Sequence, residues 1–100
     1  MAPADFRALW ERFKELIPAG EVLHGHIWRR SASWWLVDIG APLLANLDDI
    51  DCDPDTELRE GAEVEVVVKH HNDRKMMPFV SSRPDLLARA RRRIDLPTEL

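Results

Sequence analysis

The chain predicts a mainly β fold: a small five-stranded Greek-key barrel over residues 20–83, preceded by an amphipathic helix (1–19) and followed by a short Arg-rich helix and tail (84–100). Three observations carry this. At Gly20 the spacing of apolar residues changes from three- and four-residue steps to alternation, which is the change from helix period to strand period. Five short strand-like runs follow, with one long connection between the third and the fourth, as in small Greek-key barrels. A chain of 100 residues with 45% hydrophobic content fills one core, not two.

The elements follow in order. Phe6, Leu9, Trp10, Phe13, Leu16 and Ile17 fall on one helical face. Pro3 and Asp5 suit the first turn, and Pro18-Ala19-Gly20 stops the helix. That face either packs on the barrel or docks a partner. In residues 21–29, Leu23, Gly25 and Ile27 alternate with His24, His26 and Trp28, the first set inward. In residues 34–39, Trp35, Val37 and Ile39 point inward and Trp34, Leu36 and Asp38 outward. Gly40-Ala41-Pro42 is a turn, and a third strand runs from about Leu43 to Leu47. Asp48 to Gly61 is an acidic connection with room for one helical turn. Residues 63–69 are the clearest strand, with Val64, Val66 and Val68 on one face. Asn72-Asp73-Arg74-Lys75 reads as a hairpin turn, and residues 76–82 as the last strand, with Phe79 inward. Pro78 cannot donate to a ladder, so that strand is an edge or carries a bulge. Pro84-Asp85 opens the final helix, which reaches about Ile94. Its arginines (Arg89, Arg91, Arg92, Arg93) are either a solvated face or a phosphate-contacting arm, with Leu86, Leu87, Ala90 and Ile94 as its apolar residues.

Charge and chemistry narrow the function. The net charge of -4 argues against strong, unselective nucleic-acid binding. It is unevenly placed, however. Nine acidic residues and only Arg59 lie between Asp48 and Glu65, whereas five arginines and three acids follow from Arg83 onward. No apolar run is long enough for a membrane span. The N-terminus lacks a basic-then-apolar leader pattern, which points to the cytoplasm. Cys52 is the only cysteine, so neither an internal disulfide nor a cysteine-rich zinc site is available. His24 and His26 could aim at one metal, but no partner ligand is evident. Asp49, Asp51, Asp53, Asp55, Glu57 and Glu60 imitate a calcium loop, yet Pro54 stands where the turn needs glycine. Neither a nucleophile turn nor a phosphate-binding glycine loop is present. The expectation is therefore a non-enzyme without metal or cofactor.

Several motifs occur in a telling order: Gly25-His26-Ile27; Leu36-Val37-Asp38-Ile39-Gly40; Leu44 to Ile50 (LANLDDI); Gly61-Ala62-Glu63-Val64-Glu65-Val66-Val67-Val68; Asn72-Asp73; and Phe79-Val80-Ser81-Ser82. Over residues 20–83 this resembles the S1-type RNA-binding domain, an oligonucleotide/oligosaccharide-binding (OB) barrel. The resemblance implies RNA or single-stranded nucleic acid as partner, and the expected stacking surface is the outer face of strands one and two. Ser33 and Leu36 stand where the family places base-stacking aromatics, and Asn46 where it often has histidine. The hairpin aspartate corresponds to Asn72 or Asp73, and the basic residue after it to Met76 or Met77. Trp28 and Trp34, on the same outer face by alternation, can supply the stacking, unless they cover the barrel end or meet the first helix. Arg29, Arg30, Arg74 and Lys75 are the expected phosphate contacts. The predicted nucleic-acid site is thus Trp28, Arg29, Arg30, Trp34, Leu36, Asn46, Asp73, Arg74 and Lys75. The alternative is a protein-interaction module, regulatory or toxin-neutralising, using the acidic connection and the exposed tryptophans.

Overall fold

A computed structural model describes residues 3–40 and 43–95. Its elements are α1 (Pro3–Leu16), β1 (Val22–Arg30), β2 (Trp34–Asp38), β3 (Leu44–Asp48), a single 3-10 turn (Asp49–Asp51), β4 (Glu63–Asn72), β5 (Met77–Ser81) and α2 (Pro84–Asp95). Ala41 and Pro42 of the expected turn, and the side chains of Arg93 and Ile94, lie outside the described residues. The strands close into a barrel in the order β1-β2-β3-β5-β4, with all pairs antiparallel except β3 with β5.

The core is built from small and branched side chains on the inward parity of each strand. Ile27, Val37, Ala45, Leu47, Val66, Val68 and Val80 are all essentially buried, with Leu23, Trp35, Ile39 and Val64 packed against them. The expected inward set is correct with one exception. Phe79 lies on the outside of the barrel, and its neighbour Val80 is inside. The strand MMPFVSS offers an apolar residue to both faces, so alternation alone does not choose between them. The pairing with β4 does: Val80 stands opposite inward Val68, and Phe79 opposite outward His70.

Two bulges shape the outer surface. On β1 the register shifts between Ile27 and Arg29, leaving Trp28 as the extra residue, so Trp28 and Arg29 are both exposed. On β4 it shifts between Val68 and His70, which places His70 opposite Phe79 on the outer face. Pro78 is on no free edge. Its partner on β4 is His71, and the parallel pairing with β3 begins only at Phe79. That pairing is short, Asn46 with Phe79 and Leu47 with Val80. Polar contacts from the 3-10 turn reinforce it. The Ser81 hydroxyl and the Ser82 amide both donate to the Asp51 carbonyl, and Lys69, the β4 bulge residue, donates to both carboxylate oxygens of buried Asp51 at 3.0 and 2.9 Å.

Both helices pack on the barrel. Trp10 and Phe13 of α1 are buried with Leu43, and both rings stand nearly perpendicular to that of His71. The Trp10 indole N–H donates to Asp73 at 2.8 Å, Lys14 donates to the same carboxylate, and His71 Nε2–H donates to the Ile17 carbonyl. Leu16, expected on the packed face, is exposed, because the helix ends there and the chain turns away at Pro18. In α2, Leu87 and Ala90 cover Val67, an outward residue of β4 that would otherwise be bare, and Arg91 pairs with Glu65.

Candidate nucleic-acid interface

The pairing register lays out the site. Across β2, β3, β5 and β4, Leu36 stands beside Asn46, Asn46 beside Phe79, and Phe79 beside His70, all on the outer face. Trp34 lies two residues along β2 from Leu36, opposite Asp48. The β4–β5 turn then places Lys75 above this row. Its ammonium sits 3.9 Å from the Trp34 ring centroid and 5.6 Å from that of Phe79, close enough for cation–π attraction to both. His70 stacks on Phe79, with centroids 5.0 Å apart and planes 29° apart. Asn46 forms the floor. It is fully buried, and its Nδ2 donates to Asp48 Oδ1 at 2.9 Å. The result is a band of flat rings with a cation over it.

Four of the sequence-predicted residues, Trp34, Leu36, Asn46 and Lys75, meet in this band. Arg74 is exposed in the same turn. Trp28 is 49% exposed and carries Arg29 against its ring at 4.9 Å. Among the described residues no ring pair joins Trp28 to Trp34, because the β1 bulge sets Trp28 apart. Arg30 turns to the barrel end, over Trp35 at 4.7 Å, and makes a two-pronged pair with Asp49 at 2.6 and 2.8 Å. Hydrogen bonding across that pair lowers the Asp49 pKa and raises that of Arg30, so the arginine's charge is already matched. Asp73 faces α1. The Lys14 hydrogen bond, then that of Trp10, holds its carboxyl below the ordinary range. Phe79 and His70 are not among the residues the sequence predicts for the site: His70 faces outward only because of the β4 bulge, and Phe79 because Val80 takes the inward position on β5.

No family model matches the chain, and no curated protein matches it significantly. Solved structures do. A chain of the a/eIF2alpha–aDim2p–rRNA complex from Pyrococcus horikoshii OT3 superposes with a TM-score of 0.58 at 16% identity, over 75% of this chain and 51% of that one. GSP13 from Bacillus subtilis gives 0.58 at 17% identity, over 83% and 62%. A multidomain protein with nucleic acid binding domains from Streptococcus pneumoniae gives 0.56 at 16%, over 74% and 28%. The chain shares their fold, a five-stranded OB-type barrel. It spans less than two thirds of each of these relatives, and at such identities the likeness is one of fold.

On this OB barrel the histidines of β1 each face an acid on β4: His24 Nε2 lies 3.2 Å from Glu65 and His26 Nε2 3.7 Å from Glu63. These are two separate cross-strand pairs. Among the described residues no three His, Cys, Asp or Glu side chains converge as metal ligands. No described helix is long and apolar enough to cross a membrane. Burial, with the neighbouring Asp49 charge, pushes the Cys52 thiol up to about 11, so at neutral pH it is protonated and a poor nucleophile.

Proposed function

We propose that this barrel is a non-catalytic module that binds RNA or another single-stranded nucleic acid along the outer face of β2, β3 and β5 and the end of β4. The observation that carries the reading is the band itself: Trp34, Phe79 and His70 form successive flat surfaces, with Lys75 over two of them. Bases stack on such rings with little dependence on sequence, and Lys75 with Arg74 meets the phosphates. The structures that share the fold include one described as an rRNA complex and one as carrying nucleic acid binding domains.

A titration of fluorescent single-stranded RNA at low and moderate salt tests this. Trp34→Ala and Phe79→Ala each weaken binding by about 1–3 kcal/mol with little change in salt slope. Arg74→Ala lowers the salt slope by about one counterion. Absence of binding at low salt defeats the proposal. A protein-interaction module is the second reading, favoured by the half-exposed Trp28 and by Ile50, an apolar residue 83% exposed on the 3-10 turn. It expects a protein partner that Trp28→Ala or Ile50→Asp releases and Phe79→Ala does not.

A further inference from the structure

We propose that the floor of this face is a base-edge subsite selecting bases with an exocyclic amino group, read by the Asn46 carbonyl oxygen beside the Asp48 carboxylate. The inference rests on the nucleic-acid reading and adds to it which base is taken.

Asn46 is fully buried, and one of its two polar atoms is already committed. Its Nδ2 donates to Asp48 Oδ1. A carboxylate can only accept, so the amide must turn its NH2 group toward Asp48 and its oxygen away. That oxygen is buried and has no partner. A second unpartnered atom lies close by in the register: the Trp34 Nε1–H, on the residue opposite Asp48, is also buried without an acceptor. Buried polar atoms are nearly always paired, and two orphans of opposite character in one patch require an explanation.

Lys75 supplies it. Phe79 borders Asn46 on the β5 side, and Trp34 lies diagonally across on the β2 side. The Lys75 ammonium lies over both rings, so an exposed, flexible side chain closes the top of the patch. When it swings toward a phosphate, the floor opens. Whatever enters must bring a donor for Asn46 Oδ1 and an acceptor for Trp34 Nε1–H. Phosphate and ribose ether oxygens only accept, and the ribose 2′-hydroxyl, which can donate, is common to every nucleotide, so only the base can make Asn46 selective. An amino group carries two hydrogens, one for Asn46 Oδ1 and one for an Asp48 carboxylate oxygen, and the adjacent ring nitrogen is an acceptor. A base carbonyl at the same place would face two acceptors and a negative charge. Cytosine is therefore favoured over uracil, and adenine over hypoxanthine, which differ at that group.

The test is an anisotropy titration of wild-type protein at low salt with octamers of rC, rU, rA and rI. Binding about tenfold tighter for rC than rU, and for rA than rI, is expected. Asn46→Leu should keep the affinity for rU and bring the rC/rU ratio near one. Lys75→Ala, on an exposed side chain that threatens the fold little, should weaken all four and keep the ratio. Equal wild-type affinities for rC and rU overturn the subsite while leaving nucleic-acid binding intact. So does a ratio that survives Asn46→Leu or vanishes in Lys75→Ala. Failure of all four octamers to bind overturns the nucleic-acid reading itself.

Discussion

Gly25 has no side chain because β2 leaves no space for one. A Cβ there would lie 2.5 Å from the Asp38 carbonyl oxygen and 3.0 Å from Val37 Cγ1. Gly25→Ala must push two paired strands apart, so it should destabilise the domain by about 1–3 kcal/mol, seen as a lower Tm; an unchanged Tm would contradict the register. Asp73 yields a second expectation. Its folded pKa is depressed, so its contribution is complete above the ordinary carboxylate value of about 3.9 and disappears as pH falls through the lower folded value. Lys14 is raised, chiefly by the same Asp73 bond, so its contribution is lost as pH rises past its ordinary value. The Trp10 indole N–H resonance should hold its position through the neutral range and the ordinary carboxylate range, and move toward that of free indole only at lower pH, as the depressed Asp73 carboxyl takes up its proton. A Trp10 resonance at its wild-type position in Asp73→Ala would mean the carboxylate does not anchor it. At this scale the sequence was informative where one residue type has one role. Alternation placed Trp34 and Leu36 on the outer face, and the family resemblance singled out Asn46 beside them. It could not show that Asp73 would be occupied by a helix more than fifty positions away.

Among the elements, α1 was open to two readings, and its packing decides between them. Trp10 is wholly buried and Phe13 nearly so, against Leu43, Met76 and His71. The helix is thus part of the folded unit. Trp10→Ala should cost about 3–5 kcal/mol, measured by chemical denaturation; a loss under about 1 kcal/mol would show that α1 is only loosely attached. The bulges mark the limit of pattern reading. A period of two predicts every position up to the extra residue and inverts every position beyond it. This is why β1 was read correctly through Ile27, yet Trp28 was joined to Trp34. On β4 it hid His70, and Phe79 was hidden by the two-sided apolar pattern of β5. The valines of β4 were legible because they precede the bulge.

For the molecule as a whole, the -4 net charge is less of an obstacle to an anionic ligand than the total suggests, because its parts are segregated. Asp49 is matched by Arg30, Asp51 by Lys69 and Glu65 by Arg91, while Arg74 and Lys75 stand on the turn beside the aromatic band. The closing pairing of β3 with β5 has another consequence, in the time domain. β1, β2 and β3 are sequence neighbours, and so are β4 and β5, so each group can form from local contacts within microseconds to milliseconds. Joining them requires the long connection between β3 and β4 to close a loop, and only two residue pairs hold the β3–β5 side. The Asp51–Lys69 bridge is therefore expected to form late, after the main climb of folding. Lys69→Met should speed unfolding while leaving the refolding rate nearly constant in stopped-flow chevrons. Slowed refolding instead would mean that the bridge belongs to the nucleus, and that this barrel closes before its sheets are complete.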